Sequence, residues 1–159
     1  MNIERRAVLP LRICLVVLFA VLVLLEVMSL PGQFAHMAET NPDSAHLRWP
    51  LTAVSIFLVV CIQVVVVATW KLLSLFESDR IFTEASLIWV DVILWAIVAA
   101  WVVLVSVLGL VGFTADDPGL PLLLFVVVVI ITVAALLMVV LRALLRQATG
   151  LRSEMDTVV

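Results

Sequence analysis

Four long apolar runs constrain this chain more than any other feature of its sequence. They cover about residues 11–30, 51–73, 85–113 and 120–145. A membrane-spanning helix needs roughly 20 predominantly apolar residues. Each run has an unbroken centre, such as Val64-Val65-Val66-Val67-Ala68 or Phe125-Val126-Val127-Val128-Val129-Ile130-Ile131. Many of these residues are β-branched and would favour strands in water. In hydrocarbon a lone strand leaves its amide groups without partners, whereas a helix satisfies them internally. Barrel strands would alternate apolar and polar residues, and these runs do not alternate. Composition points the same way. Of 159 residues, 65% are hydrophobic and 13% charged, too few polar groups to coat a small soluble domain. Disorder is excluded by the same hydrophobicity. The expectation is an all-α membrane protein: one domain over 1–159, built from four antiparallel transmembrane helices.

Punctuation marks the ends of the runs. Pro31-Gly32 is expected to end the first span and Pro50 to open the second. Asp116-Asp117-Pro118-Gly119 reads as a tight turn, with Pro121 in the first turn of the fourth span. This leaves outer loops at 31–50 and 114–119, an inner loop at 74–84 and a polar tail at 146–159. Within the first outer loop, Phe34 to Ala38 suits a short helix on the membrane, and Asn41-Pro42-Asp43 suits a turn. The basic residues set direction. Arg5, Arg6, Arg12, Lys71, Arg80, Arg142, Arg146 and Arg152 fall on one side and Arg48 on the other. A multi-pass plasma-membrane protein with both termini cytoplasmic is expected. The first run is long and reaches Glu26, so it reads as a retained span rather than a cleaved signal peptide.

Ionisable groups inside a membrane are functional candidates by default. Glu26 and Asp91 are the two clear ones. Counted from the ends of their runs at 1.5 Å per residue, Glu26 falls near the outer surface and Asp91 near the inner one, so they are not expected to pair. Asp91 shares its depth with Arg12, Lys71 and Arg142. That set reads either as an ion-pair belt that pins the helices or as a gate at the cytoplasmic mouth. Glu26 reads either as an outward-facing ligand site or as a carboxylate that snorkels or pairs with Arg48; Ser29, Thr52, Ser55, His36 and His46 are within its expected reach. Gln63 and Thr132 are the mid-membrane polar residues, and interhelical hydrogen bonds explain both. In the third run Asp91, Trp95, Ala99, Val102 and Ser106 share one helical face, expected to face the interior. Ala96 and Ala100 permit close helix approach on a neighbouring strip. Trp49, Trp70 and Trp89 form an aromatic belt, while Trp101 lies deeper.

Several classes are excluded. A net charge of -3 offers no basic surface for nucleic acid. Cys14 and Cys61 sit in apolar runs without metal or redox spacing. His36 and His46, with Glu26, Glu39 and Asp43, match no zinc pattern. There is no phosphate loop, HExxH or nucleophile elbow. No enzyme activity, metal or cofactor is expected. On the cytoplasmic side, Asp79, Arg80 and Phe82 of the inner loop and Glu154 and Asp156 of the tail place apolar groups beside charges, as a docking strip would. Ile81 and Phe82 could equally dip into the interface.

Three segments together carry a resemblance: Asn41-Pro42-Asp43-Ser44-Ala45-His46-Leu47-Arg48-Trp49-Pro50-Leu51, then Asp79-Arg80-Ile81-Phe82-Thr83 leading to Trp89-Val90-Asp91, and the tail from Ala148 to Val159. The chain resembles a bacterial family of short four-span membrane proteins known only as a domain of unknown function. Its members are often encoded beside a small helix-turn-helix regulator of the Cro/C1 type, so the resemblance implies a membrane-bound partner of a regulator. It implies no reaction, cofactor or site residue. The leading expectation is a non-enzymatic regulatory or scaffold protein in the bilayer, docking a partner through its loop and tail. The alternatives are a small homo-oligomeric transporter or channel using Glu26 or Asp91, and an accessory subunit of a larger membrane complex.

Overall fold

The computed structural model describes residues 2–158, without the side chains of residues 2–5 and 44. Arg5, as a side chain, and Val159 lie outside the described residues. The elements are α1 (Asn2–Leu24), a π-helical turn (Leu25–Ser29), α2 (Leu30–Thr40), a 3-10 turn (Pro42–Leu47), α3 (Arg48–Glu77), α4 (Glu84–Thr114) and α5 (Gly119–Val158). No strand occurs among the described residues. Four helical segments are long and apolar enough to cross a membrane: Arg6–Thr40, Ala45–Glu77, Glu84–Thr114 and Gly119–Val158. The chain divides into two compact units, Met1–Trp70 and Lys71–Val159.

In the second unit α4 and α5 form a hairpin and pack along their length. Asp116 to Pro118 turns the chain, and Gly119 N–H donates to Asp117 Oδ1 at 3.2 Å, an Asx-type contact that starts α5. The inward stripe of α4 is Ser86, Val90, Ile93 and Leu104, all buried, with Ile97 and Ala100 half-buried between them. This corrects the expected interior face. Trp95 is 71% exposed and Val102 52% exposed, and Ser106 is exposed too. The reason is that lipid is as apolar as a helix interface, so hydrophobicity does not mark the packed side. Hydroxyls mark it no better. Ser106 donates to Val102 C=O at 2.8 Å, and Thr52, Thr69, Thr114 and Thr149 each bond a carbonyl four residues back. Such residues need no partner on another helix.

Two helices run further than the sequence suggested. Pro31-Gly32 does not end the first helix. The helix passes through the π turn and continues to Thr40, so residues 31–40, expected as loop, are helical. Pro31 sits in the first turn of α2, where its missing N–H costs least. The π turn lies just before it, where a proline removes an i→i−4 bond and crowds the carbonyl of Val27. At the other end, α5 does not stop at Leu145. It spans 40 residues to Val158, about 60 Å at 1.5 Å per residue. A polar surface is no obstacle to a helix that has left the hydrocarbon.

The link between α3 and α4 is tightly built. Arg80 N–H donates to Leu75 C=O at 2.9 Å and Asp79 N–H to Phe76 C=O at 3.1 Å. Asp79 has φ 57°. This is a Schellman closure of α3, with Asp79 in the left-handed position usually held by glycine. Asp is among the few side chains that tolerate it. Ser86, fully buried, donates to Thr83 C=O at 2.7 Å and also contacts Ile81 C=O. Thr83 Oγ1 donates to Arg80 C=O at 2.7 Å.

Candidate functional site

Polar groups in the α4–α5 hairpin lie in one register. Asp91 of α4 meets Arg142 of α5: the guanidinium Nε and Nη2 reach the two carboxylate oxygens, the latter at 3.1 Å. Ten residues further along α4, Trp101 Nε1 donates to Thr132 Oγ1 at 2.8 Å, and Thr132 Oγ1 donates to Val128 C=O at 2.7 Å. The Thr132 hydroxyl thus both accepts and donates, and the indole N–H is satisfied. The two clamps are about 15 Å apart. From Asp91 to the end of α4 at Thr114 the axis runs about 35 Å, slightly more than the ~30 Å hydrocarbon core. The Asp91–Arg142 pair therefore sits at one membrane boundary when the Asp116–Pro118 turn sits at the other. Both side chains are about two-fifths exposed. A bidentate guanidinium–carboxylate pair at that depth neutralises both charges and fixes the register of the two helices.

The other members of the proposed belt behave differently. The Arg12 guanidinium packs 5.1 Å over the Trp70 ring within the first unit. Lys71 is exposed on α3.

Beyond the ion pair, α5 passes the α3–α4 link. There a groove of about 480 Å³ is lined by residues of both, including Asp79, Arg80, Phe82, Arg152, Ser153 and Asp156. The Arg152 guanidinium lies 5.6 Å above the Phe82 ring, within cation–π range. Four of the five residues anticipated as a docking strip come together here: Asp79, Arg80, Phe82 and Asp156. Glu154 is exposed and does not line the groove. Arg152 was not anticipated as part of the strip. Its spacing from Thr149 and Asp156, three and four residues away on one helical face, was the available signal.

In the first unit the intramembrane acid lies elsewhere than expected. Glu26 belongs to the π turn. Its Oε2 accepts a hydrogen bond from Gln63 Nε2 at 2.9 Å. Gln63 is at the middle of α3 (Arg48–Glu77), so Glu26 lies level with the middle of that helix. With the helix running on to Thr40, Glu26 lies within a helical segment rather than near its end. The structure therefore joins Glu26 to the polar residue that the sequence had left without a named partner. Below this bond, Leu15, Phe19, Ala20, Val66, Val67 and Trp70 line an apolar groove of about 340 Å³. His36 lies in α2 and His46 in the 3-10 turn.

Apolar side chains cover the outside of the helices. On α5 alone Val133, Leu136, Leu137, Val140 and Leu144 are all about half or more exposed. Water would not tolerate such a surface, and a bilayer requires it. The family model described as "Protein of unknown function (DUF2975)" matches residues 32–159. No curated protein and no solved structure matches the chain. The chain is a multi-pass integral membrane protein in contact with lipid, and it belongs to the family "Protein of unknown function (DUF2975)".

Proposed function

We propose that this is a non-enzymatic regulatory or scaffold protein of the plasma membrane whose inner link and C-terminal helix form one cytoplasmic docking surface. The observation that carries this reading is the groove where Arg152 lies over Phe82 and where Asp79, Arg80 and Asp156 gather. Arg152 is ten residues past Arg142, about 15 Å beyond the membrane boundary, so the groove stands in water. Its walls are held by the Schellman closure on one side and by a continuous helix on the other. Rigid walls lower the ordering cost of binding. Eight of the nine basic residues fall on the groove's side of the spans, which favours a cytoplasmic position. The family resemblance suggests a small helix-turn-helix regulator as the partner.

The test is crosslinking in intact membranes, with a photoreactive residue at Glu84, which lines the groove and lies outside the deleted segment. Deleting Gly150 to Val159 is expected to leave insertion intact and abolish recovery of the partner. Asp79→Gly keeps the left-handed backbone while removing the carboxylate, and should weaken recovery without loosening the link. Unchanged recovery in the deletion variant overturns the docking surface.

A further inference from the structure

The two intramembrane acids have partners of different chemistry, and the difference separates their roles. Arg142 has donors only and stays charged, so it satisfies Asp91 only as a carboxylate. Gln63 carries an amide with both a donor –NH₂ and an acceptor carbonyl. When Glu26 is ionised, Gln63 Nε2 donates to it, as seen at 2.9 Å. When Glu26 is protonated, its O–H can donate to Gln63 Oε1 after a half-turn of the amide. The bond between the helices exists in both states, so adding or removing the proton does not strand a polar group.

We propose that Glu26 is a proton-binding site within the membrane, with Gln63 as its reversible partner. The step is simple: a hydronium ion from the aqueous phase gives up a proton and leaves as water, an O–H bond forms on the carboxylate, and its charge is lost. Two further observations support the assignment. Glu26 lies in a π turn, a backbone irregularity that recurs at functional positions. Ionisable residues at such depth are retained for function more often than for packing. Along the segments that carry Glu26 and Gln63, the charged residues are remote. On α3, Lys71, Glu77 and Arg48 lie about 12, 21 and 22 Å along the axis from Gln63. On the chain of Glu26 itself, His36, Glu39 and Arg12 lie ten or more residues away. α3 places Gln63, which does not titrate, against the carboxyl. This inference is independent of the docking surface.

Infrared difference spectra of the full chain in liposomes provide the test, on stepping from about pH 9 to about pH 5. A carbonyl stretch of a protonated, hydrogen-bonded carboxyl should rise on acidification, be absent from Glu26→Gln and persist in Asp91→Asn. A second measurement needs no variant. Dicyclohexylcarbodiimide, an apolar reagent for protonated carboxyls, should label Glu26 and not Asp91, as located by mass spectrometry. Labelling of Glu26 should be greater at the acid end of the same range than at the alkaline end. Gln63→Lys supplies a partner that only donates, and should abolish both signals. Identical difference spectra for wild type and Glu26→Gln overturn the proposal. So does labelling of Asp91 equal to that of Glu26.

Discussion

The two units solve one problem in different ways. Both must join long apolar helices without a hydrophobic force between them, because lipid competes for the same surface. The second unit, Lys71–Val159, succeeds by register. A short turn sets the start, Trp101 meets Thr132, and Asp91 meets Arg142, so polar contacts recur along a continuous seam. The first unit, Met1–Trp70, is joined by contacts of another kind. An apolar groove lies between Leu15, Phe19 and Val66, the Arg12 guanidinium packs over Trp70, and Glu26 bonds Gln63. Polar partners locate a helix in lipid, and the choice of partner decides whether the contact is fixed or adjustable.

The comparison breaks most severely if the ion pair is dispensable. Arg142→Ala leaves Asp91 without its counter-charge at the membrane boundary and should cause the largest loss of thermal stability in detergent. Asp91→Asn should be milder, because a lone arginine can snorkel to the headgroups. Exchanging the two residues should restore part of the loss. Next, Trp101→Phe and Thr132→Val should each cost about 0.6 kcal/mol. Their double variant should cost little more than either alone, since one bond is shared; equal additivity in chemical unfolding would remove that bond from the account. Gln63→Leu should cost a similar ~0.6 kcal/mol and speed hydrogen exchange around Glu26 and α3, while α4 and α5 stay protected. Smallest of all, Ser106→Ala should change stability by less than about 0.5 kcal/mol, because the hydroxyl bonds its own helix.

Much of this fold is legible from residues alone, for identifiable reasons. α4 (Glu84–Thr114) lies within a residue of the expected 85–113, because a closed link and an Asp-Asp-Pro-Gly turn bound it. The shared depth of Asp91 and Arg142 is readable because helix rise converts residue number into distance. Other features depend on information that lies outside local sequence. Pro31 ordinarily stops a helix, and nothing nearby declares that a π turn will absorb it. That single misplacement set Glu26 near the end of a helix rather than within one. The polar residues after Leu145 suited a tail, yet helix formation there is decided by continuity with a long preceding helix. The interior face of α4 was misread because side chains that suit lipid also suit a helix seam.

The length of α5 has a mechanical consequence. About 24 Å of it, from Arg142 to Val158, extends past the ion pair as a stiff rod. A change in bilayer thickness is met in part by helix tilt. Each 10° of reorientation about Arg142 would swing the far end sideways by about 4 Å, roughly the width of a methyl group. Arg152 would shift against Phe82 by about 2.6 Å, so tilting of the rod would alter the opening between rod and link.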